Sequence, residues 1–174
     1  MNLVKTKITH STEESAKFLG YTVHETDPRR KPRKYVVHKE KRRLRLLNPR
    51  PRLDAPIGDI VRRLIEKGYA RKNGNPTRCG RLIHLSPPDI VRHYLAMERG
   101  LLGYYGLATN YGRLSARVHY ILKYSCALTL CAKLRLRTLK KTYRKFGKHL
   151  TILKDDGELD ISFPTRVGHY AKPK

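Results

Sequence analysis

Seven cations crowd the segment from Arg135 to Lys148: Arg135, Arg137, Lys140, Lys141, Arg144, Lys145 and Lys148. At helical spacing, Lys140, Arg144 and Lys148 stand at i, i+4 and i+8, about 6 Å apart per turn on one side of a helix. A row of that kind can neutralise the phosphates of a nucleic-acid backbone. An ordinary solvated helix face interleaves acids for i,i+4 pairing, and this one has none. From Arg99 to Lys154 the chain carries thirteen Lys/Arg and no Asp or Glu. Like charges held in one folded unit repel and soften it. A large anionic partner, best a structured nucleic acid, offsets that cost. Contacts to phosphate supply affinity and positioning rather than sequence reading.

A second basic run lies between Arg29 and Arg52, where twelve Lys/Arg face one acid, Glu40. Arg29, Arg30, Arg42, Arg43 and Arg45 are candidate nucleic-acid contacts within it. The aromatic composition is unusual as well: eleven Tyr, no Trp and three Phe. Tyr104, Tyr105 and Tyr111 cluster near Arg99, Arg113 and Arg117, and Arg113 and Arg117 join the candidate contacts. An exposed tyrosine can stack on an unpaired base, and a buried one with a satisfied hydroxyl is a core residue. Tyr105 falls on an apolar stripe and reads as core. Tyr104 and Tyr111 are the candidates for base stacking.

Other chemistries find little support. Cys79, Cys126 and Cys131 lack metal-ligand spacing, no C-x-x-C or H-x-x-x-H pattern occurs, and small buried thiols are the plain reading. Asp155, Asp156, Glu158 and Asp160 fall on a turn and read as a solvated hairpin tip rather than a Mg²⁺ site. The eight histidines are scattered, none visibly paired with a Ser or Cys nucleophile. No glycine loop suits phosphate cradling. The residues suggest no enzyme, cofactor or metal.

The frame that positions these residues is a chain of 174 residues with 39% hydrophobic content and a net charge of +25. It is long enough to bury a core and too apolar for a disordered basic tail. No apolar run approaches the ~20 residues of a bilayer span, so no membrane partner is expected. The few irregular cysteines suit a reducing compartment. The N-terminus has neither an apolar signal core nor an Arg/Ser-rich presequence. Alternation predicts strands over 2–9 and 16–23, and one or two more over 35–47. NPRPRLDAP reads as a break, with Asp54 as a helix N-cap and Pro56 just inside a helix that Gly68 closes. KNGNPT is a turn-rich linker. Ser86-Pro87-Pro88-Asp89 opens a helix whose stripe is Ile90, Tyr94, Met97, Leu101 and Tyr105. Another helix is expected from about Leu114 to Leu134, packing through Val118, Ile121, Leu122, Ser125, Thr129 and Ala132. A third runs from near Thr138 to Gly147. LTILKDDGELDISF resembles a β-hairpin turning at Asp-Gly. The expected fold is α+β, mainly α: a small N-terminal β element, a helical segment, a helical bundle and a short C-terminal hairpin.

Several segments carry a family resemblance. Lys5-Thr6-Lys7-Ile8-Thr9-His10 and Phe18-Leu19-Gly20-Tyr21 resemble the last palm segments of the reverse-transcriptase domain of group II intron maturases, especially mitochondrial ones. The Pro56–Gly68 helix resembles the thumb, and His84 through Leu150 resembles the maturase domain called X. The most specific pieces are RGLLGYYGLATNY, ILKYS at 121–125 and LRTLKKTYRKFGK. The resemblance covers nearly the whole chain. It implies a division into a palm remnant with a basic loop (1–52), a thumb-like helical segment (53–80), domain X (81–150) and a C-terminal hairpin and tail (151–174).

In that family thumb and domain X grip the folded intron while the RNA does the chemistry, so the resemblance carries RNA contact onto Lys140, Lys141 and Arg144. The palm segment with the paired catalytic aspartates and the zinc-bearing endonuclease module have no counterpart here, so reverse transcription and intron mobility are not expected of this polypeptide. The N-terminal strands would then pair with another protein, either a maturase fragment or ribosomal proteins, or lie against RNA. Two functions follow as expectations for the mitochondrial matrix. One is a non-catalytic splicing cofactor bound to group II intron RNA. The other is a structural subunit of the mitochondrial ribosome bound to ribosomal RNA.

Overall fold

The computed structural model describes residues 14–25, 51–153, 157 and 159–164. The strands expected over 2–9 and 35–47 lie outside them. The architecture is mainly α with small antiparallel sheets. Its order is β1 (Ala16–Phe18), β2 (Tyr21–Glu25), β3 (Pro51–Asp54), α1 (Ile57–Glu66), α2 (Pro87–Tyr104), α3 (Tyr111–Lys133), α4 (Leu139–Phe146), β4 (Ile152–Leu153) and β5 (Leu159–Ile161).

The stretch expected as one strand over 16–23 is a tight hairpin. Leu19 and Gly20 both take positive φ, +47° and +76°, the requirement of the two-residue turn whose twist matches its strands. β1 and β2 pair with Phe18 opposite Tyr21. The expected break before α1 is instead strand β3, paired antiparallel with β2 and placing Asp54 opposite Thr22. Asp54 therefore does not cap α1. Pro56 occupies the cap position without a side-chain bond. The carboxylate of Asp54 lies 3.5 Å from His24 Nε2 and 3.9 Å from an Arg52 nitrogen. Gly68, at φ +77°, follows the helix as expected.

The start of α1 is held from a distance. Ala55 N–H donates to Asn110 Oδ1 at 2.9 Å, and Asn110 Nδ2 donates to Ala55 O at 2.9 Å. Thr109 N–H donates to Leu53 O at 2.7 Å. Tyr104, Tyr105 and Tyr21 pack ring against ring beside this clamp, and the Tyr104 hydroxyl donates to Leu19 O at 2.6 Å. The segment RGLLGYYGLATNY is thus a joint between the small sheet and the helices.

α2 opens as expected, with Ser86 Oγ accepting from Asp89 N–H at 3.3 Å and Pro87 at the first position. α3 begins three residues before the expected Leu114. Leu114, Val118, Ile121, Leu122 and Leu130 are fully buried, as are Ile90, Tyr94 and Leu102 of α2. A hydroxyl network crosses this interface. The Tyr94 hydroxyl lies 2.9 Å from both Ser125 Oγ and Thr129 Oγ1. Ser125 Oγ donates to Thr77 O at 2.6 Å, and Thr129 Oγ1 accepts from Cys79 N–H at 3.0 Å. Burial pushes the Tyr94 phenol far above its usual value, so it stays a neutral hydrogen-bonding group. Cys79, Cys126 and Cys131 are buried free thiols. β4 and β5 form the expected hairpin, fastened to α2 by Arg92, whose guanidinium donates to both Asp160 oxygens at 2.7 and 2.8 Å.

Candidate nucleic-acid interface

α4 is short and depends on its ends. Thr138 Oγ1 accepts from Lys141 N–H at 3.4 Å as the cap, and Gly147, at φ +69°, stops the helix. Leu139, Tyr143 and Phe146 pack against the core while Lys140, Lys141, Arg144, Lys145 and Lys148 are exposed. Arg135 and Arg137 in the preceding loop are exposed too. None of these seven forms an ion pair with a carboxylate among the described residues. Arg62 pairs with Asp59, and Arg92 pairs with Asp89 and Asp160. Cations of α1 and α2 therefore find acids, and those of α4 and its preceding loop find none among the described residues.

Two local rules are broken here against stability. Lys140 and Lys141 lie in the first turn of α4, which has no acid, although the positive end of the helix dipole disfavours cations there by about 0.3–1 kcal/mol each. The end of α3 has the bonding of a glycine-type cap: Leu136 N–H donates to Cys131 O at 3.0 Å and Arg135 N–H to Ala132 O at 3.3 Å. Glycine is the usual residue at the left-handed position of that motif. Here Arg135 fills it at φ +51°, and Arg137 is left-handed as well at φ +63°. That backbone costs a non-glycine residue about 1–2 kcal/mol. Such violations gather where function demands a side chain.

Arg135 and Arg137 line a cleft of about 770 Å³ together with Arg71 and Arg78. Four guanidiniums and, among the described residues, no acid line it. Its opposite wall is built by the turn after α1. Gly74 N–H donates to Arg71 O at 2.7 Å, Arg71 N–H to Asn75 O at 2.8 Å, and Ala70 bridges Pro76. Closure of this turn sets Arg71 and Arg78 near each other. Thr77 and Cys79, pinned to α3 by the hydroxyl network, hold Arg78 between them. Guanidiniums offer forked donors that match phosphate geometry.

The remaining expected residues fall in different places. Arg113 is exposed near the start of α3. Arg117 is half-buried and donates to Gly74 O at 3.0 Å, with its guanidinium 5.8 Å from the Tyr120 ring. It braces the Arg71–Asn75 turn. Tyr104 is 57% exposed, but its ring and hydroxyl serve the joint with β1–β2. Tyr111 is a core residue, 6% exposed, and offers no open face to a base. Its place in the first turn of α3 turns it inward beside Leu114. Arg29, Arg30, Arg42, Arg43 and Arg45 lie outside the described residues. Sequence reasoning missed Arg71 and Arg78. Their signal was two arginines flanking a Gly/Pro turn, which closure brings side by side.

Among the described residues no three His, Cys, Asp or Glu side chains gather as a metal site requires, and no helix is long and apolar enough to cross a membrane.

Comparison with known proteins agrees with the geometry. The family model for type II intron maturases matches residues 48–162, which hold α1–α4, the arginine cleft and the basic face of α4. The COX1/OXI3 intron 1 protein of Saccharomyces cerevisiae is 44% identical over 169 residues, 94% of this chain and 20% of that relative. The COX1/OXI3 intron 2 protein of the same yeast is 42% identical over 153 residues, 86% of this chain and 18% of that relative. The group II intron-encoded protein LtrA of Lactococcus lactis subsp. cremoris is 34% identical over 147 residues, 82% of this chain and 23% of its own length. The chain spans about a fifth of the length of these curated relatives. With a family model covering most of its residues, the chain belongs to the type II intron maturases.

Proposed function

We propose that this chain binds folded group II intron RNA and assists its splicing without itself catalysing a step, acting in mitochondria. The observation that carries the reading is the surface formed by the arginine cleft and the exposed face of α4, which carries no acid among the described residues. It presents eight exposed cations (Arg71, Arg78, Arg135, Arg137, Lys140, Lys141, Arg144 and Lys145), some of them held against local backbone and dipole preferences. Phosphate supplies the missing counter-charge. Maturase family membership and the intron-encoded relatives support intron RNA as the source of that phosphate. A mitochondrial protein of Marchantia polymorpha, 34% identical over 92 residues, supports the compartment. On this reading 53–80 and 81–150 act as thumb-like and domain X segments that share one RNA surface. The ribosomal alternative rests on small size, high charge and the lack of a recognisable active site in the sequence.

The test is splicing of a transcribed group II intron precursor with and without the full chain, alongside binding over a salt series. Expected are faster splicing and a steep fall of log K with log salt, near −0.9 per neutralised phosphate for a duplex. Tight binding without any acceleration of splicing would leave an RNA-binding protein and remove the splicing role.

A further inference from the structure

α3 and α4 enclose a second cleft, of about 540 Å³, that shares no lining residue with the arginine cleft among the described residues. Three tyrosines line it. Tyr120 and Tyr124 are 40% and 39% exposed, their ring centroids are 5.0 Å apart, and Tyr143 stands edge-on to Tyr124 at 6.4 Å. Lys123 and Lys148 line it as well. His119 completes the wall, its Nδ1 held 2.8 Å from Oε1 of the fully buried Glu98, leaving Nε2 as its second hydrogen-bonding atom. Large rings left two-fifths open in a concavity are not core residues, since the α2–α3 core closes without them. The volume lies within the ~300–1,000 Å³ usual for small-ligand sites.

We propose that this cleft receives one unstacked nucleotide of the bound RNA, its base against Tyr120 and Tyr124 and its phosphate between Lys123 and Lys148. Aromatic faces accept any base by stacking, and flanking cations hold the backbone. In RNA, bulged or looped bases are the ones free to be splayed onto such a platform. The charges point the same way. Burial and the neighbouring Lys148 hold the Lys123 ammonium below its usual value, so two cations repel across the cleft until an anion separates them. Burial, together with nearby Tyr124, pushes the Tyr143 phenol up to about 12, leaving it a neutral wall. The inference rests on RNA binding as proposed above and adds to it a site for a single base.

The test compares two probes on the full 174-residue chain: a short RNA duplex with a single bulged adenosine, and the same duplex fully paired. The wild-type chain is expected to prefer the bulged probe by about tenfold. Tyr124→Leu abolishes the preference while leaving the affinity for the paired duplex, its salt slope and the thermal midpoint unchanged. Tyr124→Phe keeps the preference, because the ring is what stacks. Equal binding of both probes by the wild-type chain overturns the base site and leaves RNA binding standing. Binding of neither overturns the RNA reading itself, and the base site with it. Loss of preference in Tyr124→Phe equal to that in Tyr124→Leu overturns the stacking assignment.

Discussion

The buried side of α3 carries Leu114, Val118, Ile121, Leu122 and Leu130 at full burial, with Ser125 and Thr129 satisfied inside the same interface. The other side of the same helix carries Tyr120, Lys123 and Tyr124 around an open cleft, and just past the helix end Arg135 breaks the local backbone preference. The first side packs apolar side chains and pairs the hydroxyls it buries. The second sets aromatic surface and charge where stability alone would not. When one helix serves both purposes on opposite sides, substitutions should separate stability from binding according to the side they touch.

The largest effect belongs to the buried side. Leu122→Ala leaves a cavity between elements that cannot close on it and is expected to cost about 2–5 kcal/mol of stability, read by thermal or denaturant unfolding. RNA affinity at a temperature where the variant remains folded should stay near the wild-type value. A variant that melts normally but fails to bind would show that the two sides of α3 are coupled.

The basic side should behave in the opposite way. Replacing Lys140, Lys141 and Arg144 with Ala is expected to flatten the log K against log salt slope by about three, near one for each phosphate no longer neutralised. Stability should move by no more than about 0.5 kcal/mol per site, and upward at Lys140 and Lys141 because an unfavourable interaction with the helix dipole is removed. An unchanged slope in the triple variant would remove α4 from the interface. Arg135→Gly sharpens the comparison within one residue. Glycine fits the left-handed position, so stability should rise by about 1 kcal/mol. Binding should weaken, with the slope reduced by about one. If Arg135→Gly gained stability at no loss of affinity, the strained arginine would have no part in RNA binding.

The same contrast separates what was legible in the sequence from what was not. Ser86 and Thr138 announce α2 and α4 because a cap is a local bond between residues three apart, and the apolar stripe of α2 follows from helical period alone. Asp54 misleads because the same residue type that caps a helix also ends a strand, and pairing with Thr22 is a long-range match that no local pattern displays. Leu19-Gly20 hides a hairpin inside a strand-like run, since a left-handed leucine is not a turn signal by composition. Asn110 offers a cap by type but commits its side chain to Ala55, 55 residues away in sequence. The cations of α4 itself, Lys140, Lys141, Arg144 and Lys145, were readable from spacing, whereas Lys148 falls beyond the helix end at Gly147. Arg71 and Arg78 gain meaning once a turn closes against α3, and the tyrosine cleft exists because α4 returns across Tyr124. Tyr111 and Arg117 carry the right chemistry in the wrong place: one enters the core and the other braces a turn.

The smallest expected effect lies in the interior and is read through pH. On α2 the His93 ring sits 2.7 Å from the Tyr69 hydroxyl and edge-on to Tyr94. Burial, helped by the charge of Arg81, holds its imidazole below the usual histidine value. The unfolded chain, with an ordinary histidine near 6.5, therefore binds more protons than the folded one in the window below that value. Stability contributed by the neutral ring is fully present above about pH 6.5 and is lost as pH falls through the folded-state value. His93→Gln keeps a hydrogen-bonding partner for Tyr69 and removes the titration, so the fall in unfolding midpoint between neutral and mildly acidic pH should become shallower than in the wild-type chain. Because His93 is half-buried on α2 and lines neither cleft, RNA affinity of the variant at neutral pH should not change. An acid-side slope identical in both chains would mean that the protons are taken up elsewhere and that the Tyr69–His93 pair does not set the acid limit of the core.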